Sequence, residues 1–76
     1  MEELYDILKE LKPDVDFRTQ QHLIDDHILD SMEIMSLVMD LNEEFDVEIT
    51  PLEVIPENFQ SADAIYRMIT RLQNAD

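Results

Sequence analysis

Ser31 is the residue of this chain whose surroundings best suit chemistry, because it lies where a polar stretch gives way to a strongly periodic apolar one. Its hydroxyl could cap the helix that begins there, since serine is a preferred N-cap residue. The hydroxyl could also be an exposed acceptor for a group that another enzyme transfers. A serine hydrolase, by contrast, requires a glycine-flanked elbow, a histidine base and an orienting acid. The chain contains no glycine, and Asp30 and Met32 flank the serine, which argues against hydrolysis.

Neither histidines nor acidic residues follow the pattern of a known metal site. His22 and His27 lie five residues apart in a predicted loop. A zinc site normally has three or four ligands held at rigid spacing, so ordinary loop histidines are favoured. The stretch 14–25 begins with the alternating acids of a calcium-binding loop. It has Thr19 and Asp25 where that loop requires glycine and glutamate, so no metal site is predicted.

The net charge of the chain is −14, and its five basic residues all lie towards the two ends of the sequence. Every formally charged residue between Thr19 and Tyr66 is acidic. Such a field repels nucleic acid and anionic lipid, and it attracts proteins that carry Lys and Arg patches. A solvated surface that only keeps a small protein soluble is the simpler alternative. We therefore expect no nucleic-acid partner, while charge alone does not identify a function.

The length predicts a single domain, residues 1–76, with one small core, because a chain of this size buries only about 60% of the surface that it exposes when unfolded. The absence of cysteine excludes a disulfide framework and a cysteine nucleophile. No apolar run approaches the ~20 residues that a membrane-spanning helix needs. The acidic start, Met1-Glu2-Glu3, differs from a signal peptide. We expect a cytoplasmic monomer without a membrane span.

Apolar periodicity predicts an all-α fold, a small four-helix bundle with three longer helices, a short third helix and a long first loop. The first helix is expected to end before Pro13. The short third helix is expected to begin with Thr50 as N-cap and Glu53 completing a capping box, and to end at Pro56. Ser61 is expected to cap the last helix. The predicted helices are about 2–11, 31–45, 51–55 and 61–73.

The lack of glycine also constrains the turns, because any backbone position with a positive φ must use another residue. Asn, Asp and His tolerate the left-handed region better than other residues do. Asp26 and His27 are therefore the candidates for a left-handed turn just before the central helix.

The central helix carries two apolar stripes, whereas a single-sided surface helix needs only one. Met32, Met35 and Met39 form the second stripe, on the flank nearest Ser31. Methionine at helical spacing often fills a core, but it is also the adaptable residue of partner-binding surfaces. We interpret this stripe as a partner surface because the core stripe is complete without it. The core stripe consists of Ile34, Leu37, Val38, Leu41 and Phe45, and the acidic rim of the partner surface consists of Glu33, Asp40, Glu43 and Glu44.

At Leu29-Asp30-Ser31-Met32 the chain resembles the acyl and peptidyl carrier protein family, which carries 4′-phosphopantetheine on the serine of a D-S-L or D-S-M motif. The resemblance continues in Asn42-Glu43-Glu44-Phe45-Asp46-Val47-Glu48-Ile49, which is similar to the end of the family's second helix. Within the family, the chain looks most like D-alanyl carrier proteins, which have Leu-Asp-Ser-Met and an aromatic residue where Phe59 stands. Many relatives have glycine four residues before the serine, at the position of His27.

The resemblance implies that Ser31 accepts 4′-phosphopantetheine from coenzyme A, with Asp30 and Met32 flanking it in the motif. The arm would present acyl or aminoacyl groups as thioesters, and the chain itself would have no catalytic residue. Its partners would be a phosphopantetheinyl transferase, a loading ligase and a downstream transferase, with Val54 and Ile55 bordering their contact surface. The alternative is an acidic helical adaptor that binds a basic protein and carries no prosthetic group.

Overall fold

The structure, a computed structural model, describes residues 2–74 and is all-helical within that range, which confirms the predicted fold class. Residues 1, 75 and 76 of the predicted domain lie outside the described range. None of the described helices is long and apolar enough to cross a membrane. The elements are α1 (Glu2–Leu11), α2 (Ser31–Phe45), a 3₁₀ turn (Pro51–Glu53), α3 (Pro56–Phe59) and α4 (Ala62–Asn74).

The core lies between α1, α2 and α4, each of which buries one apolar stripe. The bounds of α1 and α2 coincide with the predicted ranges, because Pro13 ends the first helix and Asp30 caps the second. The aliphatic stripe of α2 faces inward and leaves the methionine stripe outside. The buried helical residues are Leu4, Leu8, Leu37, Val38, Leu41, Phe59, Ala62, Ala64, Ile65, Met68 and Ile69.

The long first loop, residues 12–30, packs over the helices through its apolar side chains. Phe17, Leu23 and Leu29 are buried. Leu23 N donates to the Gln60 carbonyl over 2.9 Å, and Ile24 N donates to Gln60 Oε1 over 3.1 Å. The loop is therefore held against the segment between α3 and α4, and it delivers the chain to the start of α2 from a defined direction.

The prediction of a third helix over residues 51–55 is wrong. The structure has only a 3₁₀ turn at Pro51–Glu53, and the α-helix begins afterwards, at Pro56. Proline is compatible with the first position of a helix, whose N–H group has no partner within the helix. Pro56 therefore starts α3 rather than ending a helix, and the four-residue α3 brings Phe59 into the core.

Glu53 joins the 3₁₀ turn to α4, and the predicted capping box with Thr50 does not form. The Arg71 guanidinium donates to both carboxylate oxygens of Glu53, with 3.3 Å between Nη1 and Oε2. Asn58 Nδ2 donates to the Glu53 carbonyl over 2.7 Å. The hydrogen bond from Arg71 holds the pKa of Glu53 below its ordinary value. The turn between α2 and α3, which buries none of its own residues, is thus attached to α4 by polar contacts.

Within residues 2–74 two residues adopt the left-handed conformation, one shortly before α2 and one directly after it. His27 has φ 56°, which confirms one of the two predicted positions. Asp46 has φ 51° and ends α2, a position that the sequence analysis did not single out. Polar side chains tolerate this region, so the chain makes both turns without glycine. Ser61 caps α4 as predicted, since its Oγ accepts from Ala64 N over 3.1 Å.

Leu41 and Met39 give a matched test of which face of α2 forms the core. Leu41 is fully buried, so Leu41→Ala is expected to reduce the free energy of unfolding by about 2–5 kcal/mol. Met39 is exposed, so Met39→Ala should change it by less than about 0.5 kcal/mol. Urea unfolding followed by circular dichroism measures both values. Equal losses for the two variants would contradict the orientation of α2.

Candidate functional site

Ser31 is the first residue of α2, and the cap of that helix is Asp30. Of the two roles that the sequence left open for Ser31, the capping of α2 is therefore wrong, since Asp30 caps the helix. Asp30 Oδ1 accepts a hydrogen bond from Glu33 N over 2.8 Å, and Glu33 Oε1 accepts one from Asp30 N over 3.0 Å. This reciprocal pair of bonds is a capping box built on aspartate. It provides partners for the N–H groups of Asp30 and Glu33 without using the Ser31 side chain.

The Ser31 side chain is consequently available at the surface. Residue 31 is exposed, and within residues 2–74 no hydrogen bond engages its hydroxyl. Its position in the first turn of α2 places it near the positive end of the helix dipole, which favours a negatively charged group. The geometry suits a hydroxyl to which a phosphate group is attached.

The approach to Ser31 depends on the left-handed residue His27. A positive φ at this position is easy for glycine and is tolerated by histidine. The backbone then passes through the buried Leu29 to the extended Asp30, whose φ and ψ are −96° and 177°. The histidine therefore has a conformational explanation that requires neither catalysis nor metal binding. In the part of the chain that the structure describes, no three metal-ligating side chains gather to hold an ion.

The methionine stripe lies on the outside of α2, beside Ser31. Met32, Met35 and Met39 are 82%, 60% and 68% exposed. Their exposure removes the alternative in which they fill the core. A contiguous row of exposed apolar side chains on one helix is typical of a contact surface.

The acidic rim divides into residues that face solvent and one that is already engaged. Asp40, Glu43 and Glu44 are exposed. Glu33 is partly buried, and both of its carboxylate oxygens have partners, since Oε2 lies 2.8 Å from Lys12 Nζ. Glu33 is therefore part of the structure that supports the start of α2, while Asp40 and Glu43 present exposed carboxylates on the helix. Glu44 is also exposed, and it lines a groove with Glu3, Asp6, Ile7 and Glu10 of α1.

Two open apolar grooves lie next to α2 and the segment around the 3₁₀ turn; Val54 borders both of them, and Ile55 borders the smaller one. One groove has a volume of about 180 Å³ and the other about 420 Å³. Val54 lines both, and Met35 lines the larger one, which connects that groove to the methionine stripe. The smaller groove is lined by Ile24, Ile34, Val54, Ile55, Pro56 and Phe59, and the larger by Met35, Val38, Ile49, Pro51 and Val54.

Leu52 and Lys12 are the residues of this region that the sequence analysis did not single out. Leu52 is 87% exposed in the 3₁₀ turn. Its exposure could have been inferred from Pro51 and Pro56, because a segment that short cannot bury every apolar side chain. Lys12 pairs with a residue far along the sequence, and no local pattern indicates that contact.

Comparison with known proteins supplies the context for this geometry. The family model described as "Phosphopantetheine attachment site" matches residues 2–69. The chain is 31% identical to the D-alanyl carrier protein of Streptococcus sanguinis over 74 residues, which cover 96% of this chain and 94% of that protein. It is 41% identical to aminoacyl carrier protein 1 of Bradyrhizobium diazoefficiens over 58 residues, which cover 75% of this chain and 64% of that protein. No solved structure gives a significant match.

The position of the cap predicts different effects for two adjacent substitutions. Asp30→Ala removes a capping side chain and should lower the free energy of unfolding by about 0.5–2 kcal/mol, with Asp30→Asn retaining most of the stability. Ser31→Ala should change it by less than about 0.5 kcal/mol, because Ser31 caps nothing. Urea unfolding with linear extrapolation measures the three values. If Ser31→Ala lowered the free energy of unfolding as much as Asp30→Ala, Ser31 would be the capping residue instead.

Proposed function

The chain belongs to the phosphopantetheine attachment family, and on that premise we propose that Ser31 is the residue that carries the 4′-phosphopantetheine. The domain is a carrier of acyl or aminoacyl groups, with covalently attached 4′-phosphopantetheine as its prosthetic group. One observation supports Ser31 as the attachment point. Its hydroxyl is exposed at the start of α2, while Asp30 performs the capping that would otherwise engage it.

The residues around Ser31 fit a phosphate ester. The N-terminal end of α2 attracts a negatively charged phosphate, whereas the neighbouring Asp30 carboxylate repels it. Glu33 draws the Lys12 ammonium to the same turn, which offsets part of that repulsion. When bound, the prosthetic group supplies a terminal thiol for thioester formation, which explains how a chain without cysteine can carry acyl groups.

The role of the chain in this proposal is to present Ser31 and to be recognised. The Ser31 oxygen forms the new ester bond to the phosphorus that bears pantetheine and gives up its hydroxyl proton, while the pyrophosphate bond of coenzyme A breaks and adenosine 3′,5′-bisphosphate leaves. A phosphopantetheinyl transferase performs the catalysis. A loading ligase and a downstream transferase act on the modified chain. The chain contributes no catalytic residue, and a cytoplasmic location, where coenzyme A is available, stays a prediction.

The partner surface in this proposal combines the methionine stripe with the acidic side chains at the start of α2 and along it. Apolar side chains at the centre of an interface contribute most of the affinity, while charges at its edge steer the encounter. Met32, Met35 and Met39 would fill apolar pockets of a partner. Leu52 extends this apolar surface from α2 onto the 3₁₀ turn. The carboxylates that would meet basic patches on the partner are Asp30, Asp40, Glu43 and Glu44, and Val54 and Ile55 border the surface.

The names of the two relatives suggest the cargo. One is an aminoacyl carrier protein and the other a D-alanyl carrier protein, so we propose an aminoacyl group as the thioester-bound cargo. The match covers less than two thirds of the aminoacyl carrier protein. The adaptor without a prosthetic group is not favoured, because membership of this family is defined by phosphopantetheine attachment.

Intact-mass measurement tests the attachment point directly. After incubation with coenzyme A and a broad-specificity phosphopantetheinyl transferase, the wild-type chain should gain the mass of one phosphopantetheinyl group. Ser31→Ala should gain none. Ser36→Ala is the matched control, because Ser36 is also exposed on α2, and it should be modified like the wild type. Modification of Ser31→Ala would overturn the assignment, as would an unmodified wild type.

Charge reversal tests the acidic part of the partner surface. Glu43→Lys should raise the KM of the cognate loading enzyme by about threefold or more, because a like charge now faces the basic patch of the partner. Helicity should be unchanged, since a lysine suits the last turn of α2. Asp63→Lys is the control, because it makes the same change of charge in the first turn of α4. The other end of α4 is the one that contacts the end of α2, through the hydrogen bond from Gln73 to the Phe45 carbonyl. Equal effects of the two variants would show that only net charge matters.

A further inference from the structure

Lys12 connects the end of α1 to the first turn of α2. It is the first residue after α1, and Pro13 turns the chain away behind it. Its Nζ lies 2.8 Å from Glu33 Oε2, with the two side chains 34% and 23% exposed. The hydrogen bond to Glu33 raises the pKa of Lys12, and the nearby Asp30 carboxylate adds to the effect. The lysine is therefore cationic at neutral pH.

Glu33 transmits this contact to the residue before Ser31. One of its carboxylate oxygens is held by Lys12, and the other accepts from Asp30 N over 3.0 Å. Glu33 N in turn donates to Asp30 Oδ1 over 2.8 Å. A continuous path of polar contacts thus runs from Lys12, at the end of α1, through Glu33 to the backbone N–H and side chain of Asp30, the residue before Ser31.

We infer that Lys12 is a positioning residue for Ser31. By fixing the Glu33 carboxylate, it keeps the Asp30–Glu33 capping box closed, so the backbone at Ser31 has one geometry when a transferase approaches. Without Lys12, the Glu33 side chain gains rotamers that leave Asp30 N, and the first turn of α2 opens more often. This inference rests on the proposed role of Ser31 as the attachment point.

The positive charge of Lys12 allows a positioning role to be distinguished from a purely electrostatic effect on binding to the transferase. Removing any lysine makes this acidic chain more negative, which should strengthen its attraction to a basic transferase and leave KM unchanged or lower. Loss of positioning should instead lower kcat, because the Ser31 hydroxyl is then held less often in the reactive geometry. Lys9 is the matched control, because it lies in the last turn of α1 and is exposed. Within residues 2–74, its ammonium forms no ion pair.

Steady-state kinetics of phosphopantetheine transfer tests the inference. Lys9→Ala should keep the wild-type kcat, whereas Lys12→Ala should lower kcat by about three- to tenfold, the range expected when a well-oriented reacting group becomes mobile. Lys12→Arg should restore most of the loss, because arginine can also pair with Glu33. A role confined to global stability would not give this rescue together with an unchanged KM.

A double-mutant cycle adds a test of the path through Glu33. Glu33→Gln keeps an oxygen that can accept from Asp30 N but loses the ion pair with Lys12. Its kcat should match that of Lys12→Ala, and the double variant should show no further loss. Multiplication of the two losses would show that the residues act separately, and would overturn the inference.

Amide hydrogen exchange provides a readout that needs no transferase. The amides of Asp30 and Glu33 should exchange faster in Lys12→Ala than in Lys9→Ala, while the amides of the buried Leu37 and Leu41 stay protected alike. This inference alone is overturned if the wild type gains the phosphopantetheinyl mass but the two lysine variants show equal kcat and equal amide exchange. A wild type that gains no mass overturns the proposed function, and this inference with it.

Discussion

The reciprocal capping box between Asp30 and Glu33 is the interaction on which the organisation of this protein depends. A helix start leaves several N–H groups without partners, and a short polar side chain must satisfy some of them. Because Asp30 caps α2, the Ser31 side chain is not needed for capping, and Ser31 lies in the first turn of the helix. The result is a serine that is fixed in position and chemically free, which is the combination an acceptor hydroxyl requires.

The rest of the molecule supports that turn from several sides. The first loop is held to Gln60 and buries Leu29 next to the cap. His27 supplies a left-handed residue where glycine would be the usual choice, so the loop can reach α2 in a chain that has no glycine. Lys12 joins the box to α1. The buried Leu29, the left-handed His27 and the Lys12–Glu33 pair thus all act on the residues that lead into α2.

The outer surface of α2 combines two kinds of recognition. Exposed methionines offer adaptable apolar contact, which suits a chain that must meet several enzymes in succession. The acidic side chains around them attract basic partners from a distance and orient the encounter. Since these residues lie on the same helix as Ser31, a partner that contacted them would also lie close to the proposed attachment point.

The sequence alone determined the all-α class, the extents of α1 and α2, and the external position of the methionines, because each depends on a periodicity that is local to one helix. It also located the motif around Ser31. Tertiary structure decided the rest. Asp30 and Ser31 are both good N-cap residues, so their types alone do not decide which of them caps α2. The folded backbone decides it, because it places Asp30 just outside the helix and Ser31 inside it. Pro56 begins a helix because Phe59 must reach the core. Glu33 pairs with Lys12, which follows α1, and Glu53 pairs with Arg71 of α4, and side chains that are far apart in sequence meet only when the chain has folded.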